Sequence, residues 1–275
     1  FEQQFNENRP FFTEGTDIFN KGNLLYSRRI GQTPDLNINI AENESIINYP
    51  GAINLLNAMK ISGRDKDGLG IGFLNAITEK TMATVSNDDN GETRQIEVST
   101  LTNYNVTVFD LRFNQIWSVT FINTNVTRNG SFRDANVTGL LFDLNDKSNK
   151  YNISGGLKSS SINDTENSNG INASVYLAEK NGKFRYSFGG DYVSKDFDNN
   201  DLGINFRTNY YSVYNDANYR ILNPNSIFNT FRISLASYFE FYKPTNQIQS
   251  SNFNMNLNST NKKNHYFGGG LNFNP

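Results

Sequence analysis

Few side chains in this sequence stand in patterns that perform acid–base or nucleophilic chemistry. Glu14 and Asp17 lie three residues apart, with Arg28 and Arg29 downstream, and a carboxylate pair of this kind is one form of general acid–base site. Nothing else in the sequence completes a catalytic site around them. The favoured interpretation is therefore a salt-bridged anchor for the segment that contains these four residues.

Three acidic stretches resemble fragments of calcium-binding loops: 65–68 (DKDG), 87–92 (NDDNGE) and 196–203 (DFDNNDLG). A full calcium loop needs more spaced oxygen ligands and a distal bidentate glutamate, whereas Asp, Asn and Gly are also preferred in turns. We interpret all three as turns, with weak extracellular calcium binding as the alternative. The GLGIG run at 68–72 starts a predicted strand with no helix after it, so it lacks the geometry of a phosphate-binding loop.

The composition excludes several classes of site. His265 is the one histidine and there is no cysteine, so a Ser–His triad, a zinc site or a disulfide has little or no basis. We predict no metal and no cofactor.

A net charge of −2 gives no basic face for nucleic acid. Mean hydropathy is −0.59 with 13% aromatic residues; disordered chains lack such aromatics, whereas transmembrane β-barrels combine both properties.

Most of the chain after residue 50 alternates apolar and polar residues, as a strand with two different faces does. In 251–258 (SNFNMNLN), Phe253, Met255 and Leu257 oppose asparagines, and 229–242 behaves similarly. The faces of 22–31, 101–111 and 115–124 are ambiguous. The predicted strands are 22–31, 54–62, 69–80, 101–111, 115–124, 136–145, 151–160, 170–179, 184–193, 208–221, 228–242, 251–259 and 264–273.

The links between these strands are predicted to alternate between short and long. Short ones are 64–68, 113–115, 145–150, 180–183, 222–227 and 259–263; longer ones are 81–101, 125–135, 160–169, 194–207 and 243–250. Short periplasmic turns and longer outer loops are typical of outer-membrane barrels. We therefore predict an all-β fold, an antiparallel transmembrane β-barrel in a bacterial outer membrane.

The predicted domain organisation has two parts. Residues 1–21 form a periplasmic or luminal entry segment, and 22–275 form part of a barrel with about 13 strands. Single-chain bacterial barrels have even strand numbers, and the last predicted strand lacks the terminal aromatic usual in outer-membrane proteins. We therefore expect the barrel to continue beyond Pro275.

Three stretches carry a family resemblance: 9–31 (RPFFTEGTDIFNKGNLLYSRRIG), 58–78 (AMKISGRDKDGLGIGFLNAIT) and 132–139 (FRDANVTG). They resemble an uncharacterised Bacteroidota outer-membrane barrel domain, the domain-of-unknown-function 5916 family. The resemblance covers most of the chain up to about Asp143. It implies an outer-membrane barrel that usually follows a module similar to family 9 carbohydrate-binding domains, and it implies no established activity.

The charged residues predicted to face inward have mixed sign, which argues against a strongly ion-selective pore. An open pore lining and a wall cross-linked by ion pairs remain alternatives. The candidates are Lys60, Lys158, Arg185, Asp191, Asp216, Arg220, Arg232 and Glu240.

Three functions are compatible with these sequence features. The first is an outer-membrane channel or transporter, with a saccharide link implied by the resemblance alone; an open lumen would favour it. The second is an anchor for a periplasmic sugar-binding-type module or a subunit of a larger outer-membrane complex; a lumen filled by residues 1–21, or a wall covered by partner protein, would favour it. An enzyme is the least supported and would need a convergent cluster around Glu14 and Asp17. Expected partners are outer-membrane lipid, saccharide and other outer-membrane proteins.

Overall fold

The computed structural model describes residues 6–34, 38–114, 116–221 and 223–274, which form β-strands with very little helix. The helical elements are α1 (Pro10–Thr13) and a 3-10 turn (Ser27–Arg29). None of the helical turns in these ranges is long and apolar enough to cross a membrane. The strands are β1 Glu44–Asn48, β2 Leu55–Arg64, β3 Leu69–Thr78, β4 Thr81–Asn87, β5 Thr93–Ser99, β6 Thr102–Phe113, β7 Trp117–Arg128, β8 Asp134–Asn145, β9 Tyr151–Asn163, β10 Ser168–Glu179, β11 Phe184–Val193, β12 Tyr210–Ile221, β13 Phe228–Tyr242, β14 Gln247–Asn261 and β15 Tyr266–Phe273.

Twelve of these strands form one antiparallel sheet. Its order is β15-β14-β13-β12-β11-β10-β9-β8-β7-β6-β3-β2, so each strand pairs with its neighbour in the chain except where β4 and β5 intervene. Those two strands form a separate three-stranded sheet with β1. The all-β antiparallel prediction is confirmed. Within the described ranges, β2 and β15 form the two edges of the large sheet and do not pair with each other.

The predicted strands from 54–62 onward each correspond to a strand of the large sheet, but 22–31 is wrong. Left-handed backbone at Gly22 and Asn23, with φ of 61° and 57°, and the 3-10 turn Ser27–Arg29 interrupt an extended run there. Leu24 and Ile30 are fully buried in the core, so the apolar residues of this stretch are buried although it forms no strand. The predicted long loop 81–101 is also incomplete, because it contains β4 and β5.

The predicted alternation of link length holds only in part. We call the end of the sheet with the links 65–68, 114–116, 146–150, 180–183, 222–227 and 262–265 the turn end, and the other the loop end. At the loop end, 129–133, 164–167 and 243–246 are as short as the turns, because β7, β8, β9, β10 and β14 extend further at this end than predicted. The long links at that end are 79–101, which includes β4 and β5, and 194–209.

The large sheet has one face against segment 6–34, here called the inner face, and an opposite outer face. On the inner face, Leu74 pairs with Val106, and Val108 pairs with Ile122; all four are buried. On the outer face, Ile71 pairs with Phe109, and both are more than 40% exposed. The core therefore lies between the inner face of β3, β6, β7 and β8 and the chain that packs on it.

Candidate functional site

Segment 6–34 packs along the inner face without forming a strand of the sheet. Phe12, Phe19 and Leu24 are at most 4% exposed and belong to the same buried cluster as the valines of β6. Glycines in the sheet make room for it. A Cβ added to Gly72 would lie 2.8 Å from Ile18 Cγ2, and one added to Gly139 would lie 3.0 Å from a Leu24 methyl carbon. Strand glycines of this kind mark close approach by another chain segment.

A buried carboxylate fixes this segment to the sheet near the turn end. Asp110 on β6 is fully buried and forms an ion pair with Arg64 on β2. It also accepts a 2.6 Å hydrogen bond from Thr120 Oγ1. Lys21 of the segment places its Nζ 3.7 Å from Asp110 Oδ1, and Arg112 Nε lies 3.6 Å from Oδ2. Since an uncompensated buried charge is costly, this cluster ties the segment to β2 and β6 together.

A second ion cluster closes the loop end. Arg133 Nη2 lies 2.7 Å from Asp198 and 2.6 Å from Asp201, and Arg128 Nη2 lies 2.8 Å from Asp201. Burial alone would lower the pKa of Arg133, but hydrogen bonds and charges from Asp201 and Asp198 outweigh it and raise that pKa. For Asp198, burial raises the pKa, but hydrogen bonds from the Asn200 backbone N–H and from Arg133 outweigh it and lower the pKa. These pairs hold the 194–209 loop against the ends of β7 and β8.

The 194–209 loop in turn covers the second half of the segment. The Tyr26 backbone N–H donates to Leu202 O at 2.5 Å, and Asn199 Nδ2 donates to Asn23 O at 3.1 Å. Leu202 is 2% exposed. Residues 23–29 are therefore held between the sheet and this loop.

A cleft of about 820 Å³ lies between segment 6–34 and residues 204–210. Its charges are already paired: Glu7 with Arg9, and Arg207 Nη1 with the buried Glu240 at 2.6 Å. Phe206 on its wall is 64% exposed. The remaining polar lining consists of amides and hydroxyls with aromatic rings, including Asn6, Thr16, Asn20, Asn23, Asn205, Tyr26 and Tyr210. Such a surface suits an uncharged hydroxylated ligand better than an ion.

The comparisons with known proteins give one match. The family model described as a domain of unknown function (DUF5916) matches residues 1–275. The chain belongs to the DUF5916 family. No curated protein and no solved structure matches this DUF5916 chain.

The eight charged residues predicted to face inward all lie on the inner face of the DUF5916 sheet, by strand register and alternation. Lys60 is used by the segment, because its Nζ donates to Phe11 O and Glu14 O. Asp191 accepts a 3.2 Å hydrogen bond from Ser212 Oγ, and Glu240 pairs with Arg207. Arg220 and Arg232 face each other across β12 and β13. That these residues line a lumen stays a prediction.

The two predicted acidic anchor residues, Glu14 and Asp17, lie in the first half of the segment, whereas Arg28 and Arg29 lie near its end. Arg28 donates to Asn6 O at 2.9 Å, and Arg29 Nε donates to Gly203 O at 3.3 Å. Glu14 contributes its carbonyl to Lys60, and Asp17 lines a small pocket beside Arg64 and Arg112. These contacts are with backbone and sheet, and the salt-bridged anchor stays a prediction. Residues 1–5 of the predicted entry segment lie outside the described residues.

Side-chain oxygens of the three acidic stretches form hydrogen bonds or ion pairs with other groups of the DUF5916 chain. Asp65 Oδ1 accepts from the Leu69 N–H at 2.8 Å, and Asn87 Oδ1 accepts from the Asp89 N–H at 2.9 Å. Asp198 and Asp201 are bound by arginines. Across the described ranges, no group of three or more His, Asp or Glu side chains is arranged to hold a metal ion.

Asp110 with its partners, and Arg9, were not among the residues predicted from the sequence. A signal for Asp110 exists, since it follows Val106 and Val108 at alternate positions, where a carboxylate on an apolar face needs a cation. Arg9 carries less signal. Its guanidinium donates to Ile30 O at 2.7 Å and to Ser27 O at 2.8 Å, and backbone acceptors leave no mark in a sequence.

Low pH is expected to destabilise the packing of segment 6–34 by protonating Glu7. Hydrogen bonding from Arg9 lowers the pKa of Glu7 from 4.5 to about 2, against the opposing effect of burial. A lowered folded-state pKa means that this stabilisation is present above about pH 4.5 and is lost as the pH falls toward 2. Glu7→Gln should therefore reduce the loss of stability over this range, measured by urea unfolding at several pH values. Glu166→Gln, at an exposed carboxylate, is the control; equal pH profiles for all three proteins would contradict the assignment.

Proposed function

We propose that this chain forms part of a transmembrane β-barrel in the outer membrane of a Gram-negative bacterium of the Bacteroidota, and that the barrel passes uncharged hydrophilic solutes, with saccharides as the substrate class. The observation that carries the proposal is the difference between the two faces of the large sheet. The outer face exposes large apolar side chains from β2 to β15. On β12–β14, away from the core under segment 6–34, the inner face is mostly polar. A soluble protein rarely exposes so large an apolar surface.

The height of the apolar surface supports a membrane position. Aromatic residues form a row near the turn end, and Tyr192, Tyr211 and Phe241 form a second group near the loop end, with the Tyr211 and Phe241 rings stacked at 4.9 Å. Tyr211 and Tyr219 on β12 are separated by about 26 Å along the strand at ~3.3 Å per residue, which corresponds to about 20 Å of height if the strand is tilted by about 40°. An outer-membrane barrel has an apolar band about 25 Å tall between two aromatic girdles. The turn-end row includes Phe113, Trp117, Tyr151, Phe184, Tyr186 and Tyr219.

Such a sheet needs its edges paired inside a membrane. Each unsatisfied N–H or C=O costs several kcal/mol in hydrocarbon, so open edges are not found there. β2 and β15 are the edges of this sheet. We propose that they are paired in the membrane, with each other or with further strands.

The polar half of the interior supports passage of uncharged solutes. Asp216, Arg232, Asn254 and Asn256 lie on the inner face of β12–β14 and are partly or well exposed. Their mixed charge favours neither anions nor cations. The cleft beside Phe206 offers amides and aromatic rings, which suit sugar hydroxyls and the apolar faces of sugar rings.

The test is single-channel conductance of the purified full-length protein in a planar bilayer. Stepwise conductance that decreases when oligosaccharides are added is the expected result. A folded, inserted protein without conductance would overturn passage as the function.

A single aromatic side chain is expected to set saccharide affinity. Phe206→Ala should weaken block of the conductance by oligosaccharide roughly fivefold, because the exposed ring loses about 1 kcal/mol of apolar contact with the sugar. Phe132→Ala removes an exposed ring in the 129–133 link and is the matched control. Equal block in both variants and the wild type would rule out the Phe206 cleft as the saccharide site.

A second candidate is a structural barrel that anchors a periplasmic sugar-binding-type module or serves in a larger outer-membrane complex. The observation that favours it is segment 6–34, which covers the inner face of β3, β6, β7 and β8 and forms an apolar core with it. Absence of conductance from a folded, membrane-inserted protein would select this role.

A further inference from the structure

A pocket of about 200 Å³ lies on the inner face of the large sheet, toward the turn end. It is formed by β10, β11 and β12, which are neighbours in the sheet, and it shares no lining residue with the cleft beside Phe206. Its volume accommodates one sugar ring. The inner-face residues that line it are Tyr176, Lys180, Arg185, Ser187, Asp216 and Asn218.

The charged groups of this pocket retain hydrogen-bonding capacity for a ligand. Within the described ranges, the Asp216 carboxylate accepts one long hydrogen bond, 3.4 Å from Asn218 Nδ2, and the Arg185 guanidinium donates one, 3.4 Å to Gly182 O. Neither side chain forms an ion pair there. An ionised carboxylate only accepts hydrogen bonds and a guanidinium only donates them. Together they can bind sugar hydroxyls, each of which both donates and accepts.

The aromatic wall of the pocket is positioned by a glycine. Gly189 on β11 pairs with Tyr176 on one side and with Tyr214 on the other. A Cβ added to Gly189 would lie 2.6 Å from Cζ of Tyr214, so the Tyr214 ring lies over this glycine. It reaches the Tyr176 ring across β11, with the ring centroids 6.5 Å apart and the ring planes at 28°. Paired rings of this kind suit the apolar face of a sugar ring.

The pocket lies on the same face of β12 as the Phe206 cleft. Tyr210 lines the cleft, Tyr214 follows on the same face, and Asn218 lines the pocket. Tyr210 and Asn218 are separated by about 26 Å along the strand at ~3.3 Å per residue. An oligosaccharide that lies along β12 would therefore meet the cleft, the Tyr214 ring and the pocket in turn.

We propose that this pocket is a second saccharide subsite, in which the Tyr176 ring stacks on one neutral sugar ring while Asp216 and Arg185 bind its hydroxyls. The inference rests on saccharides as the substrate class in the proposed function. Glu179 also borders the pocket, but it is paired with Lys150 at 3.1 Å. Asp216 would repel the carboxylate of a uronate, so a neutral ring fits the pocket better.

Binding can be measured on the full-length protein in detergent, independently of any conductance. The protein is titrated with maltohexaose, cellohexaose and xylohexaose by isothermal titration calorimetry, and the wild type should bind at least one of them. Asp216→Asn should bind that hexasaccharide about tenfold more weakly, because charge-assisted hydrogen bonds are the strong ones. Asp164→Asn, at an exposed carboxylate in the 164–167 link, is the matched control and should change affinity less than twofold. Binding of none of the three, or tighter binding of hexagalacturonate, would overturn a neutral-saccharide subsite.

A second set of variants tests the aromatic wall. Tyr176→Ala should weaken binding about fivefold through loss of the stacked ring, whereas Tyr176→Phe keeps the ring and should stay within twofold of wild type. Gly189→Ala should displace the Tyr214 ring and weaken binding about threefold. Gly269→Ala, where an added Cβ meets no atom within 4 Å, is its control. Equal affinity of Tyr176→Ala and the wild type would overturn the subsite.

The subsite and the passage of solutes can fail separately. Binding that depends on Tyr176 and Asp216, in a folded protein without conductance, would contradict passage and support the subsite. Conductance that oligosaccharide blocks equally in the wild type, Tyr176→Ala and Asp216→Asn would support passage and contradict the subsite.

Discussion

Asp110→Asn is expected to lower the free energy of unfolding by about 3 kcal/mol, since removal of one partner from a buried ion pair leaves the other charge uncompensated. Asp110 is fully buried, whereas Arg64 and Lys21 are about one-quarter exposed. Asparagine retains a hydrogen bond to Thr120 but has no charge for the cations Arg64, Lys21 and Arg112. The loss should also release segment 6–34 from β6, because Lys21 is the segment's contact with this carboxylate.

The measurement is urea unfolding in lipid vesicles, followed by the fluorescence of Trp117, the one tryptophan of the chain. Asp216→Asn is the matched control. Asp216 lies on the same inner face, on β12, and its carboxylate accepts a long 3.4 Å hydrogen bond from Asn218. It should cost less than about 1 kcal/mol, as surface charge changes usually do. Equal losses in the two variants would show that the Asp110 cluster does not hold the segment.

Leu235→Arg is expected to impair membrane assembly and to cost about 2–4 kcal/mol, the range for an arginine on the lipid face near the middle of a bilayer. Leu235 is 38% exposed on the outer face, where it pairs with Ala217 and Met255. On β13 it lies between Phe231 and Phe241, which belong to the turn-end and loop-end regions. A charge at this position would therefore be the furthest from either membrane surface.

Ser234→Arg tests the same strand on its other face and should be much milder. Ser234 pairs with Asn218 and Asn256, so a charge there adds to a polar surface. The fraction of each variant that reaches the heat-modifiable folded form on gel electrophoresis, together with urea unfolding in vesicles, gives the comparison. Equal tolerance of both substitutions would be incompatible with a lipid-facing outer surface.

The large sheet was predictable because its strands have two different faces. In β14 the alternation of Phe253, Met255 and Leu257 with asparagines fixes both the strand and its orientation. β6 was ambiguous for a physical reason: Val106 and Val108 face the core under segment 6–34, while Phe109 and Leu111 lie on the outer face. Apolar residues on both faces remove the period-2 signal.

For the candidate site, the sequence predicts only which charged residues share the inner face of the sheet. Alternation alone puts Glu240 and Arg232 on one face, and the structure agrees in register. The ion-pair partners could not be predicted from the sequence. Arg207, which pairs with Glu240, and Asp198, which pairs with Arg133, belong to a loop whose path depends on the whole sheet. The position of segment 6–34 could not be predicted for the same reason, since it contains only two short helical turns and no strand, and its contacts are with distant residues.

The packing of segment 6–34 also has a consequence for the order of folding. Strands of the sheet pair with neighbours along the chain, whereas Asn23 and Arg29 meet Asn199 and Gly203 about 175 residues away. Contacts between residues far apart in sequence form slowly, because a long loop must close first. The segment is made before any strand of the sheet, yet its partners on β8, β9 and the 194–209 loop are made later. We therefore expect the sheet to form first and residues 6–34 to dock last, so that the inner face of the sheet is uncovered until the rest of the chain has folded.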